Sequence, residues 1–433
     1  MKIWSRTAFF CFFLPLLLNA ASPLKVEVSA KGAILMNTET GAVLWEKNAH
    51  APLFPASTTK LITALYAVEK KGFGFDEMVT ASHEAVASVP PSVRRASNGA
   101  HPPYRLELGG THMGIRAGET LTFRTLLYGL MLASANDAAN VIAQHVSGDI
   151  STFTDELNRF VREKGCKNTV LHTTHGLPHE EHRTTAYDMA ILAREFLKKN
   201  LLREVAMAAQ YPRAQTNKQL ESMLYQHNAL VKPGRFYYPK AVGIKTGYTV
   251  AAGYTLVAAA EDQNRKLIAV LLGCEKLEQR YKDAIALFEA GFNEKRVSRT
   301  LLSKGFDLFS YEVEGGTVPL QAYLTQDIAL EYYPTEEPVF KIAVLWQPPV
   351  LPIAAGQKVA QMQVTSPEGK ILASAPLYAV RSVETTWRYQ TGLVWRKVKK
   401  GMGDRVALAM ACGGILILAS GFYYSIRKRS KIS

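Results

Sequence analysis

FPASTTKLITAL, residues 54–65, sets Ser57 three places before Lys60 and runs straight into an apolar helical pattern. Leu61, Ile62, Leu65 and Val68 recur at helical spacing, and Gly72 supplies a stop. Positions i and i+3 share one helix face, so the serine hydroxyl and the lysine amine become neighbours. The pair alone decides nothing. Ser-x-x-Lys occurs three times, at Ser22–Lys25, Ser57–Lys60 and Ser425–Lys428. The first lies at a candidate cleavage site and the last in a basic tail. Only the middle one opens a core helix.

The chain has 433 residues, enough for two or three domains, and 48% of them are hydrophobic, as in an ordinary folded protein. The formal charge of +14 is unevenly spread. Residues 388–433 carry ten Lys/Arg and one acid, Asp404, while Lys2 and Arg6 add two more positive charges. The body between is close to neutral. With no zinc-finger spacing and no basic-aromatic stripe, the charge does not indicate nucleic acid as a partner.

Both ends read as membrane-directed. Lys2 and Arg6 precede an apolar core, Ala8 to Leu18, followed by Asn19-Ala20-Ala21-Ser22, which is the pattern of a signal peptide over residues 1–21. Val406 to Ile426 is uncharged and long enough to span a bilayer as a transmembrane helix, residues 406–426. Arg427, Lys428, Arg429 and Lys431 then form a short basic cytoplasmic tail, residues 427–433. The expected location is the extracytoplasmic face of the cytoplasmic membrane, with residues 387–405 as a basic juxtamembrane linker. Of the four cysteines, Cys11 falls in the signal and Cys412 in the spanning run. Cys166 and Cys274 read as isolated buried residues.

Between the ends, Ala33–Met36 and Ala42–Trp45 flank a turn and predict a hairpin. Residues 83–112, rich in Pro, Gly, His and Ser, predict a long loop. Helices are expected over Thr122–Ala133, Asp137–His145 and, opened by a Thr185/Asp188 capping box, to about Lys198. Val242–Thr246, Tyr254–Ala260 and Lys266–Leu272 read as strands, and Arg280–Phe292 as a closing helix. Strands at both ends of a helical segment predict an α+β fold, an antiparallel sheet covered by helices, over residues 22–296. Short strand-like runs between turns then predict a small all-β domain over residues 297–386.

Two further motifs single out Ser57. Ser134-Ala135-Asn136 is the only Ser-x-Asn and interrupts two apolar helical stretches. Lys245-Thr246-Gly247 is the only Lys-Thr-Gly and lies on a predicted strand. Ser-x-x-Lys, Ser-x-Asn and Lys-Thr-Gly in this order are the pattern of a serine acyl-transfer site. Ser57, near a helix N-terminus, suits a nucleophile whose intermediate is anionic. Lys60 can act as its base if burial and the charge of Lys245 lower its pKa. Ser134 can relay the proton to the leaving amine, and Asn136 can orient Lys60. Lys245 and Thr246 can hold a substrate carboxylate, and Gly247 lets a peptide lie along the strand edge. Backbone N–H groups of Ser57 and Tyr248 are the expected oxyanion hole. His172, His175, His179 and His182 crowd one loop, but their spacing matches no familiar metal site, so they read as loop histidines and neither metal nor cofactor is expected.

On these motifs the chain resembles low-molecular-mass penicillin-binding proteins of the serine-type D-alanyl-D-alanine carboxypeptidase family. The likeness extends through LLYGLMLASANDAANVIAQHVSG (126–148), TTAYDMAILAREF (184–196), VGIKTGYTVAAGYTLVAAA (242–260) and, in the β domain, LPIAAGQKVAQMQV (351–364) with GKILASAPLYAV (369–380). The resemblance implies a β-lactamase/transpeptidase-like fold with a C-terminal β-sandwich and a membrane anchor. Its activity would be removal of the terminal D-Ala from peptidoglycan stem pentapeptides through an acyl-enzyme on Ser57, with acylation by β-lactam antibiotics. It also matches Arg280 to an arginine near the substrate carboxylate. Ala135 stands where glycine is usual, and Ala229 where an arginine often follows the asparagine.

Other acyl-transfer outcomes share the site. An amine acceptor gives transpeptidation and a crosslinked substrate gives endopeptidase action. A class A β-lactamase is disfavoured, because between Asn136 and Lys245 no Glu has an Asn four residues later. A non-catalytic wall-binding protein would have no use for the three motifs together.

Overall fold

The computed structural model describes residues 24–402, except residues 73, 97–99, 264, 306–308 and 349. The expected signal peptide (1–21), spanning segment (406–426) and tail (427–433) lie outside the described residues, as do Cys11 and Cys412. Among the described residues no helix is long and apolar enough to cross a membrane. The chain divides into two compact units, one of residues 24–295 with 333–337, the other of residues 296–332 with 338–402.

The first unit is built on a hairpin, β1 (Gly32–Asn37) and β2 (Val43–Lys47), and a run of six helices. These are α1 (Thr59–Lys71), α2 (Phe123–Met131), α3 (Asn136–Ser147), α4 (Ile150–Glu163), α5 (Ala186–Leu197) and α6 (Asn200–Met207). Strands β3 (Ala241–Thr249), β4 (Gly253–Glu261) and β5 (Lys266–Cys274) follow, and helix α7 (Leu277–Phe292) closes the unit. The antiparallel sheet has the order β2-β1-β5-β4-β3, so the last strand of the meander returns beside the first strand of the chain.

Register shows how the two faces are used. Ile34 lies opposite Val270, Val270 opposite Val257, and Val257 opposite Lys245. Ile34, Val257 and Val270 join the core beneath α1 to α6, with Leu61, Ile62 and Leu65. Their strand neighbours Leu35, Leu256 and Leu271 face the other way, onto Tyr281, Leu287 and Phe288 of α7. A sheet covered on both faces needs apolar residues on both, which is why its strands read as unbroken apolar runs rather than alternating ones.

Several expectations are refined. Ile150–Glu163, absent from the sequence reading, is a full helix with Asp149 accepting the N–H groups of Ser151 and Thr152. It buries Ile150, Phe153, Leu157, Phe160 and Val161, one helical face. The 83–112 segment contains short helices at His83–Val86 and Pro91–Ala96 and a two-residue parallel pairing of Ser88–Val89 with Leu106–Glu107. Thr185 caps α5 through the Asp188 N–H, as the capping box predicts. Cys166 and Cys274 are free and buried.

The second unit has its own core of Leu320, Leu324, Met362, Val364 and Leu377. Its strands are β6 (Val297–Leu302), β7 (Phe309–Tyr311), β8 (Leu320–Leu324), β9 (Ile328–Tyr332), β10 (Lys341–Trp346), β11 (Lys358–Thr365) and β12 (Ile371–Ala379). They form a five-stranded sheet, β7-β8-β12-β11-β10, and a separate β6-β9 pair. Where the sequence suggests a linker, Trp387–Met402 is helical, with Trp387 and Val394 well exposed.

Phe153 is fully buried, its ring meeting the Tyr66 ring edge-on at 5.2 Å. Phe153→Ala is expected to destabilise the first unit by about 3–5 kcal/mol, read from urea unfolding by circular dichroism. A loss below about 1 kcal/mol would show that α4 is not part of that cooperative core.

Candidate active site

The three motifs converge where the N-terminus of α1 meets the edge strand β3. Ala56–Thr58 form a single tight turn leading into α1, so Ser57 sits just ahead of the helix and Lys60 in its first turn. The turn is tied on several sides. Thr58 and Thr255 both donate their hydroxyls to the Pro55 carbonyl, at 2.7 and 3.0 Å. Leu53 exchanges two backbone hydrogen bonds with Thr184. Ala56 adopts a left-handed φ of 51°, a strained conformation for a residue with a Cβ, held only because its surroundings are fixed.

Lys60 is fully buried and its amine has three partners. Nζ lies 2.9 Å from Ser57 Oγ, 2.7 Å from Asn136 Oδ1 and 2.8 Å from the carbonyl oxygen of His175. Two of these, an amide oxygen and a peptide carbonyl, can only accept. A neutral amine satisfies both with its two N–H bonds and turns its lone pair to the serine hydroxyl. An ammonium would have to donate to all three. Burial, then the positive charge of Lys245, pushes the Lys60 pKa well below the ordinary lysine value, against an opposing pull from Asp137. Asp137 is itself engaged by the N–H groups of Met113 and Ile115.

Asn136 opens α3, and its N–H donates to the Thr111 carbonyl at 2.8 Å. Ser134, two residues earlier, is buried at the bend between α2 and α3 with a left-handed φ of 58°. This explains the polar triplet between apolar helices, since the turn aims inward at Lys60.

Lys245 and Thr246 are buried on β3, and Lys245 Nζ donates to the Thr246 carbonyl at 3.0 Å. Burial and the Arg280 guanidinium lower the Lys245 pKa to about 7. Gly247 permits the close approach of strand and helix: a Cβ there would lie 2.4 Å from Thr255 Oγ1 and 2.8 Å from Ser57 N. The amide of the serine therefore lies against the strand edge, beside Tyr248, whose ring stacks on Tyr254. Arg280, matched by resemblance to a carboxylate-binding arginine, is buried behind the strand. It donates to the carbonyls of Gly247 and Thr255 and to the Tyr281 hydroxyl. Its closest engagements are thus with the strand backbone, which it braces from α7.

The sequence reading missed two contributors. The His175 carbonyl reaches Lys60 because Gly176 packs on the Ala56 carbonyl so tightly that a Cβ would sit 1.9 Å from that oxygen. A backbone acceptor leaves no mark on residue identity, although the glycine does. His227 has an exposed side chain, and partial desolvation and then Lys245 lower its pKa to about 4, so it is neutral at pH 7.

A family model described as D-alanyl-D-alanine carboxypeptidase matches residues 18–276. The D-alanyl-D-alanine carboxypeptidase DacF of Bacillus subtilis is 29% identical over 390 residues, 87% of this chain and 90% of that protein. DacD of Salmonella typhimurium is 27% identical, covering 84% of this chain and 88% of that one. Among solved structures, a mutant of the Streptomyces K15 DD-transpeptidase matches with a TM-score of 0.54 and 26% identity, over 62% of this chain and 99% of that one. Penicillin-binding protein 6B of Escherichia coli shares the fold, with a TM-score of 0.57 at 24% identity, over 82% of this chain and 96% of its own.

The buried lysine pair sets a pH dependence. Acylation by a fluorescent penicillin is expected to rise as Lys60 loses its proton, at a pH well below the ordinary lysine value. Lys245→Gln removes the main positive charge lowering the Lys60 pKa, so that pKa rises and the midpoint of the rate profile moves to higher pH. Second-order rates between about pH 5 and about pH 10 check this, and a midpoint that stays or falls contradicts the proposed base.

Proposed function

The chain belongs to the D-alanyl-D-alanine carboxypeptidase family, and from that premise we propose that it removes the terminal D-Ala of peptidoglycan stem pentapeptides through an acyl-enzyme on Ser57. It is a serine-type peptidase. The observation that carries the assignment to Ser57 is the fully buried Lys60 amine 2.9 Å from its hydroxyl, with both other amine positions taken by acceptors.

In the proposed reaction Lys60 takes the proton as Ser57 Oγ attacks the carbonyl of the D-Ala-D-Ala bond. The oxyanion is received by the N–H groups of Ser57 and Tyr248. The C–N bond breaks as the proton passes, by way of Ser134, to the leaving amine of D-Ala. Water then attacks the ester, Lys60 again serving as base, and releases the shortened peptide. Lys245 and Thr246 hold the terminal carboxylate. Arg280 keeps the strand edge in place and adds to the positive field there. A β-lactam presents a carboxylate and a cyclic amide to the same groups, and its ring opens to give an ester on Ser57.

We further propose that residues 22–296 are the peptidase domain and 297–386 an accessory β-sandwich. Residues 1–21 would direct export, and residues 406–426 would anchor the protein with its catalytic unit outside the cytoplasmic membrane. The uncharged 21-residue run and the basic tail after it support this. Truncation after residue 386 should release active protein from membranes, and continued membrane retention would count against the anchor.

Incubation with pentapeptide and, separately, with crosslinked muropeptide tests the activity and the acceptor together. Free D-Ala from the pentapeptide is the expected product; joined peptides would mean transpeptidation, and cleavage of the crosslink alone would mean endopeptidase action. Ser57→Ala should abolish the covalent penicillin adduct and lower turnover by about 10⁴-fold or more. Release of D-Ala by that variant at the unaltered rate would remove Ser57 from the mechanism.

A further inference from the structure

The loop from His172 to His182 holds four histidines, and two of them serve the catalytic turn directly. The His175 carbonyl accepts from Lys60, while His182 receives the His172 N–H on Nδ1 and lies 2.9 Å from Thr59 Oγ1 through Nε2. The other two side chains, His172 and His179, take no part in that network. Their rings stack with centroids 4.0 Å apart. Glu181 completes the group, its Oε2 lying 3.4 Å from His172 Nε2. One ligand atom from each of the three residues lies within 4.8 Å of the other two.

His172 Nε2 is the informative atom. It is buried and makes no hydrogen bond, although a carboxylate oxygen is 3.4 Å away. A buried polar nitrogen without a partner costs stability and calls for a partner, and beside a carboxylate that partner can be a bound cation. His179 accepts the Glu181 N–H on Nδ1 at 3.3 Å, a long contact that the ring gives up when its proton moves to Nδ1 and Nε2 binds a cation. We propose that His172, His179 and Glu181 form a binding site for a divalent transition-metal cation of the zinc type. Two imidazoles and one carboxylate are a zinc donor set, and a poor one for magnesium or calcium, which prefer all-oxygen shells.

Tetrahedral zinc with bonds of about 2.0–2.1 Å needs donor atoms roughly 3.3 Å apart. Reaching that from the present spacing takes a rotation of the two rings out of their stack and a swing of Glu181, whose side chain is 74% exposed. Water fills the fourth position. Arg94, which donates to the Pro178 carbonyl on this loop, is paired with Glu107, so its charge is partly offset.

A cation here would join residue 172 to residues 179 and 181 and close the loop that presents the His175 carbonyl. Its role is structural: it braces the acceptor that holds the Lys60 amine, and contributes no step to acyl transfer. Because the metal binds the folded loop, it raises thermal stability with the logarithm of free metal once that exceeds Kd.

Zinc sulfate titrated into the full-length protein in detergent, near neutral pH, tests the site by calorimetry and thermal unfolding. The expected result is a saturable site and a raised melting temperature, with magnesium giving neither. Glu181→Gln and His179→Ala should each weaken zinc binding by at least about 10-fold, while penicillin labelling without zinc persists as evidence of the fold. The exposed position of Glu181 keeps the test informative should His179→Ala fail to fold. No binding by the unaltered protein, or equal binding by Glu181→Gln, overturns the site. Penicillin labelling depends on Ser57 and zinc binding does not, so either reading can fail without the other.

Discussion

The geometry of the candidate site centres on one lysine amine held inside the protein, where burial opposes its charge. Lys60 is buried where water cannot solvate an ammonium, and a second buried cation, Lys245, raises the cost of charging it further. The Asn136 amide and the His175 carbonyl fix the direction of its two N–H bonds. In the neutral amine this leaves the lone pair for the Ser57 hydroxyl, 2.9 Å away. The arrangement separates two roles that lysine usually combines. In the proposed mechanism Lys60 accepts the proton, while Lys245 and Arg280 supply the positive field suited to a carboxylate.

That field comes at a cost in packing. Arg280 and Lys245 are both buried, and the guanidinium is satisfied mainly by strand carbonyls rather than by a carboxylate from the protein. A substrate carboxylate would provide the missing countercharge. The site is therefore unbalanced by itself, in a manner that favours an anionic ligand. The neutral state of His227 avoids adding a third unpaired cation.

Much of this was readable from residue order. The helix after Ser57, the helices flanking Ser134 and the three closing strands follow from apolar spacing and turn residues. Arg280 was placed near the site only by resemblance, and its attachment to the Gly247 carbonyl depends on how α7 crosses the sheet. The α4 helix was overlooked despite a clear apolar face at 150, 153, 157, 160 and 161. The short pairings within 83–112 involve two residues each, below what periodicity can reveal. The His175 carbonyl is invisible in the sequence, because every residue offers the same backbone acceptor. Gly176 was the available hint, but only the 1.9 Å approach to Ala56 gives it meaning. Likewise, histidine spacing along the loop concealed a cluster that the fold brings together by stacking residue 172 on residue 179.

The left-handed backbone at Ala56 and the contact of Gly176 against it have a consequence for the newly made chain. Lys60 takes acceptors from residues 136 and 175, and its pKa is lowered first by burial and then by Lys245. Before these distant segments assemble, the Lys60 amine is in water and protonated like any exposed lysine. Under the proposed mechanism the hydrolytic chemistry switches on only with completed tertiary structure, and covalent capture by a β-lactam would report correctly assembled molecules.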